Sequence, residues 1–249
     1  MPTLNQRLLL RIILLTLLFG GGVFFLHYIQ SDRSVEALRW QAENATANGK
    51  IDKAIMFMGQ YLEFRPNDHE ATVKLADLIL KRAKGPKELA NAMFLLEKVA
   101  RESPDREEVR RKLVNLCLRM NRHSDALIHL QPLLQNYPQE PELWEQQGIC
   151  QTVQNKHEAA RKSLETAIHY DPSRISSYEL LAQLLILQMN LPTEGQTWIE
   201  KMVEANPKDP IAYLIRARYL RSVNKMDDSL RDVDHVILLD PLKDRKSVV

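Results

Sequence analysis

Between Pro141 and Pro172 the chain reads PELWEQQGICQTVQNKHEAARKSLETAIHYDP. Apolar or small residues recur there at helical spacing on either side of Gln154-Asn155-Lys156. Trp144, Gln147, Gly148 and Gln151 mark one face of a first helix, and Ala160, Leu164 and Ala167 mark the facing stripe of a second. Gly148 and Ala160 leave room for two helix axes to approach, so a larger residue at either is expected to overpack by roughly 1–3 kcal/mol. Pro172 cannot continue a helix and restricts Asp171 to extended backbone, which ends the second helix. A hairpin of about 30 residues with one thin seam buries too little surface to offset the entropy of ordering it. The pattern therefore requires neighbours.

The neighbours are present. Aligned on the closing proline, Pro66, Pro104, Pro138, Pro172, Pro207 and Pro241 are separated by 38, 34, 34, 35 and 34 residues. Twelve residues before each stands a small residue: Ala54, Ala92, Ala126, Ala160, Gly195, Ser229. Eight before each stands an apolar one: Met58, Leu96, Leu130, Leu164, Ile199, Val233. Two fixed offsets kept through a period near 34 residues predict a stack of helix-turn-helix units.

Over about Val35 to Leu242 the chain resembles the tetratricopeptide repeat (TPR) family, most clearly where Trp144, Gly148, Ala160, Leu164, Ala167 and Pro172 occupy signature positions. The resemblance implies an all-α, right-handed solenoid of about six repeats, at 35–68, 69–106, 107–140, 141–174, 175–209 and 210–242, whose first helices line a concave groove. It names a scaffold and no reaction. Two departures are local. Gly195 weakens its helix by roughly 1 kcal/mol relative to alanine, and the four extra residues around Lys84-Gly85-Pro86-Lys87 are read as a longer turn between helices.

The first thirty residues have a different pattern. Ile12 to Ile29 holds no Asp, Glu, Lys or Arg and would span about 27 Å as a helix, close to the hydrocarbon thickness of a bilayer. It is expected to be a retained transmembrane signal anchor, because no A-x-A-like cleavage site follows Leu26. Residues 1–11 then form a cytoplasmic tail, 30–34 a connector, and the solenoid lies outside the cytoplasm. Flanking positive charge favours that orientation only slightly, with Arg7 and Arg11 before the span and Arg33 and Arg39 after it. The whole resembles a bacterial membrane-anchored TPR protein, with the membrane as one partner. Trp40 and Phe57 are expected in the packed seam rather than against headgroups.

Charge adds exclusions. The balance of 34 Lys+Arg against 32 Asp+Glu is interleaved, as in Arg106 to Lys112, and forms no one-sided basic stripe for nucleic acid. Cys117 and Cys150, the only cysteines, fall at near-equivalent places on adjacent first helices and read as small buried hydrophobes rather than a disulfide. None of the seven histidines stands in a metal-binding frame. In Asp232-Val233-Asp234-His235 only Asp232 and His235 share a helical face, and a surface ion pair explains them. No nucleophile elbow or phosphate-cradling loop occurs, so no catalytic residue, metal or cofactor is assigned.

By the resemblance, the groove is lined by Arg39, Glu43, Asp77, Lys81, Arg111, Asn115, Glu145, Thr152, Glu179, Gln183, Arg218 and Arg221. One TPR subfamily grips a terminal carboxylate with a basic residue and Asn, resembling Arg111 and Asn115. Its further Asn falls on Gln146 and its last two basic residues fall on Ser176 and Leu180, so the cationic half is missing. The chain is expected to be a membrane-anchored scaffold that binds a protein or peptide in this groove. Alternatives are an accessory region of a longer enzyme extending past Val249, or an envelope protein self-associating through its last repeat. That repeat looks apolar at Ile211, Leu214, Ile215, Val233, Val236, Ile237 and Leu238, and 243–249 would be a tail or the start of another helix.

Overall fold

The computed structural model describes residues 33–239. Among them are twelve helices: α1 at 33–47, α2 Ile51–Phe64, α3 His69–Arg82, α4 Pro86–Glu102, α5 Glu107–Arg119, α6 His123–Asn136, α7 Pro141–Val153, α8 His157–Tyr170, α9 Ile175–Gln183, α10 Pro192–Ala205, α11 Pro210–Ser222 and α12 Met226–Leu239. They form six consecutive pairs of TPR-like helices. The chain divides into two compact units, 1–105 and 106–249, so α1–α4 belong to the first and α5–α12 to the second.

The starts and stops have local causes. Proline occupies the first turn of α4, α7, α10 and α11, where its missing N–H is not needed. Asp68 caps α3 by accepting from Ala71 N at 2.9 Å, and Asp209 caps α11 by accepting from Ile211 N at 2.8 Å. Between paired helices the chain turns through left-handed backbone at Gly49, Asn121, Asn155, Asn190 and Asn224, with φ from 56° to 70°. At Asn155 the turn closes with Lys156 N–H donating to Gln151 O at 2.9 Å and Asn155 N–H to Thr152 O at 3.0 Å. These bonds satisfy carbonyls that the end of α7 leaves open. All five residues stand seventeen before the proline that closes their repeat, an offset as regular as that of the seam.

The seam itself is buried as its period requires. Ala54, Ala92, Ala126 and Ala160 are fully buried, Ser229 is buried, and so are Met58, Leu96, Leu130, Leu164, Ile199 and Val233 beside them. Each such aliphatic side chain contributes about 1.5–3 kcal/mol. Gly148 lies over Ala160 and Leu164 so closely that a Cβ would stand 2.7 Å from Leu164 Cγ. In the first unit the seam joins Val35, Ala42, Met58, Tyr61, Ala71 and Leu75; in the second, one cluster runs from Ala160 to Ala212. Cys117 and Cys150 are buried and unbridged, and burial pushes the Cys150 thiol up to about 11.

Several expectations are corrected. The four extra residues of the second repeat do not lengthen the turn. Between α3 and α4 only Ala83-Lys84-Gly85 intervene, while α4 has 17 residues against 14 in α2, α6, α8, α10 and α12. Proline at the first turn lets the insertion start the helix early. The single extra residue of the fifth repeat is absorbed differently: α9 widens into a π-turn, Leu184–Gln188, closed by Met189 N–H to Leu184 O at 3.1 Å. Trp40 is 65 % exposed rather than packed, whereas Phe57 packs against the first core. Asp232 is no surface partner of His235; it is buried and accepts from Nε and Nη2 of Arg216 at 2.8 and 2.6 Å, while the His235 ring packs at a tilt against Tyr213.

The membrane reading is also corrected. Among the described residues no helix is long and apolar enough to cross a bilayer; the longest, α4, has 17 residues and a charged face. The anticipated span at 12–29 lies outside the described residues. The described residues therefore carry no support for a transmembrane helix, a membrane partner or a single-pass placement with the solenoid outside the cytoplasm; their architecture is an all-α array of helix pairs.

Candidate partner-binding groove

In the first unit the anticipated groove residues sit on α1 and α3. Arg39 lies 3.5 Å from Glu43, 3.7 Å from Asp68 and 3.7 Å from Glu70, while Lys74 reaches Glu70 at 2.9 Å and Glu43 at 3.4 Å. Burial acts to raise the carboxyl of Asp68. The N–H of Ala71, the hydroxyl of Tyr61 and the charge of Arg39 outweigh it and hold that carboxyl below its usual range. Glu43, Asp77 and Lys81 share a cleft of about 530 Å³ with Thr46, Met58 and Leu78, and Arg39 stands outside it.

In the second unit the anticipated residues part company. Arg111 is held at 2.5 Å by Glu107 and in a two-pronged bond at 2.6 Å by Glu140, and its guanidinium lies over Tyr137. These bonds, Glu140 first, push its ionisation above the ordinary arginine range. Asn115 is engaged by Gln146 Nε2 at 3.2 Å. An arginine already gripped by two carboxylates is poorly placed to hold a partner's carboxylate.

Glu145 is consumed by the fold. It is buried and accepts from Arg174 Nε at 2.8 Å, Arg174 Nη2 at 3.0 Å, and the hydroxyls of Ser176 and Ser177 at 2.5 Å each. Burial alone would raise its carboxyl; the bonds from Arg174, Ser176 and Ser177 lower it. The hub ties α7 to the entry of α9. Trp144 does similar work, donating from Nε1 to Pro138 O at 2.8 Å.

Glu179, Gln183, Arg218 and Thr152 do converge. A cleft of about 380 Å³ between the α9–π-turn segment and α11 is lined by Glu179, Gln183 and Arg218 among Ile186, Leu187, Ile215 and Val223. Arg218 donates from Nη2 to Glu179 across it and remains 62 % exposed. A second cleft of about 240 Å³, on the α7 side, is lined by Ile149, Thr152, Val153, Leu180, Gln183 and Leu187. Gln183 and Leu187 belong to both walls. Leu187, the residue between the two clefts, is 72 % exposed, and Arg221 lines neither.

Sequence reasoning passed over Leu187, Val153 and Val223. Leu184-Leu185-Ile186-Leu187 reads as uniform core, and only the 35-residue spacing between Pro172 and Pro207 signals that one of these side chains must be displaced. Among the described residues no group of three or more His, Cys, Asp or Glu side chains could hold a metal ion.

Comparison with known proteins agrees with this architecture. Residues 83–147 match the tetratricopeptide repeat family profile. That segment ends inside α7, so it includes Trp144 but not Gly148, Ala160 or Leu164. Among solved structures, a tetratricopeptide repeat protein from Parabacteroides merdae ATCC 43184 aligns with TM-score 0.64 at 15 % identity, over 83 % of this chain and 80 % of that one. A MamA protein aligns with TM-score 0.61 at 18 % identity, over 70 % and 92 %. The pilF protein of Pseudomonas aeruginosa aligns with TM-score 0.54 at 16 % identity, over 85 % and 94 %. At these identities the likeness shows the fold. No curated protein sequence matches the chain.

Proposed function

We propose that this repeat protein is a non-enzymatic scaffold that holds a segment of a partner protein against the first helices of its fourth to sixth repeats. The observation that supports this is Leu187, a leucine 72 % exposed between two apolar clefts. Set between the clefts, Leu187 joins them into one apolar surface that a partner's side chains can cover. The test compares the full chain with Leu187→Asp as bait. Each recovered protein is then titrated in purified form against both. Partners bound by the parent and lost by the variant, with helicity unchanged, support the scaffold. If purified partners bind both alike, the groove is not the site.

A second reading, self-association through the sixth repeat, is favoured by Ile211 at 51 % and Leu238 at 78 % exposure. Val233 and Val236, also anticipated on that face, are buried in the seam. Mass that rises with concentration in sedimentation, and falls back in Leu238→Asp, would support it.

A further inference from the structure

We infer that copies of this chain join head to tail, the first repeat of one copy following the sixth repeat of another, with Trp40 of the second set against Arg218 of the first. The inference rests on the self-association reading above and names the face that the sixth repeat meets. Ala71, Leu143, Ser177 and Ala212 each stand five residues after the proline that closes the preceding repeat, and all four are buried. Their counterpart in the first repeat is Ala37, which lies 106 residues before Leu143, as Ala54 lies before Ala160. Ala37 is exposed. The sixth repeat shows the matching gap. On α2, Ile51 and Ile55 pack against the cluster that holds Leu78 of the following repeat. Their counterparts on α12, Met226 and Leu230, are exposed. These apolar side chains and Ala37 are the two halves of a join that the array makes between its own repeats.

The joins within the second unit give the neighbour of Trp40. Gln146 Nε2 donates to Asn115 Oδ1, in the repeat before it, at 3.2 Å. One repeat later Leu180 lines a cleft with Ile149, and one repeat later again Ile215 lines a cleft with Gln183. Gln146, Leu180 and Ile215 hold one place in their repeats and Asn115, Ile149 and Gln183 hold the other, each recurring at 34 or 35 residues. In the first repeat the former place is Trp40, and in the sixth the latter is Arg218. Both stand exposed, at 65 % and 62 %. A guanidinium over an indole face is a favourable pair. Arg218 already donates from Nη2 to Glu179, but that bond uses the edge of the guanidinium and stacking uses its face. Arg111 does both in this chain, bonded to Glu140 while it lies over the Tyr137 ring.

The same register sets the strength and the order of assembly. Asn44 occupies the place at which Leu78, Cys150 and Leu184 are buried, and it is polar and bonded to Asn48. Covering it gains less than covering a leucine, so the join between copies is weaker than those within the chain and is reversible. Two different faces meet, so the contact does not close on a twofold dimer, and mass continues to grow with concentration.

The experiment is sedimentation of the full chain over a range of concentrations, beside cross-linking of an equal mixture of Asn44→Cys and Met226→Cys chains with a short bis-maleimide. The native Cys117 and Cys150 are buried and stay out of the reaction. The expected result is mass beyond the dimer and a cross-link dominated by the mixed 44–226 product. Trp40→Ala is expected to weaken association about tenfold and Arg218→Gln about threefold, with helicity unchanged because both side chains are exposed. Mass that rises with only 226–226 links leaves self-association through the sixth repeat standing and overturns the head-to-tail join. Association that neither Trp40→Ala nor Arg218→Gln weakens overturns it as well. A single-chain mass at every concentration, as when another part of the chain covers either face, removes both readings.

Discussion

The carboxylate of Glu145 receives both Nε and Nη2 of Arg174, at 2.8 and 3.0 Å, across 29 positions of sequence. With the Ser176 and Ser177 hydroxyls on the same carboxylate, the pair joins α7 to the start of α9 through a buried acid. Removing the arginine leaves that acid without a counter-ion. Arg174→Ala is expected to destabilise the second unit by about 3 kcal/mol, read as a lower midpoint in urea. A loss below about 0.5 kcal/mol would mean that the pair is only a surface bond.

Acid should erase that difference. The folded-state carboxyl of Glu145 is lowered, so its stabilisation is complete above the unfolded glutamate value, about 4.3, and is lost as pH falls through the folded value. Stability measured from pH 7 down to pH 2 is expected to show the parent and Arg174→Ala converging below about pH 4. Curves that stay parallel throughout count against the ionised hub.

Gly195 lies against Ile186, and a Cβ there would overlap that side chain. Alanine gains about 1 kcal/mol of helix propensity and meets an overpacking cost of about 1–3 kcal/mol. Gly195→Ala is expected to lose about 1 kcal/mol net, and the loss should shrink in an Ile186→Ala background, which removes the obstructing Cγ1 and Cδ1. A Gly195→Ala variant more stable than the parent would show that the contact relaxes freely.

The left-handed turns make a matched pair of tests. Asn155 has φ 58°, where a Cβ without a local polar bond costs about 1–2 kcal/mol. Asn155→Ala is therefore expected to destabilise by about 1 kcal/mol and Asn155→Gly by at most a few tenths. Lys84, between α3 and α4, has no positive φ, and Lys84→Gly should bring no gain. Equal effects of alanine and glycine at Asn155 would contradict the turn geometry.

Cys150 should be chemically silent in the native protein. Its thiol is buried and pushed up to about 11, so thiolate is scarce at pH 7.5. Labelling by a thiol reagent is expected to be slow for both cysteines and to become fast across the urea transition. Rapid native labelling would place them at the surface.

Much of the array was legible because its determinants are local and repeat. Ala54 through Ser229 and Met58 through Val233 sit at two offsets that any helical pair must bury, and they do. What stayed hidden depends on neighbours. Glu145 occupies a groove position by rule, yet Arg174 and two serines draw it inward, and no period announces a partner 29 residues away. The insertion near Lys84 could lengthen a turn or a helix, and only the propensity of Pro86 to open α4 tips it to the helix. Leu187 was hidden by one residue of slippage. The apolar run at 12–29 was legible as a pattern, but none of the described helices supplies a membrane span.

The π-turn at Leu184–Gln188 gives the fifth repeat an outward position that the core does not use. Leu184 and Leu185 keep the core filled, and the surplus residue has been turned out as Leu187. Substitution at that one site leaves every seam contact in place, whereas changing specificity at Ala160 or Leu164 would unmake the fold. On the proposed groove reading, partner choice is set at a residue that the packing of the helix pairs does not use, so specificity and stability are carried by separate side chains.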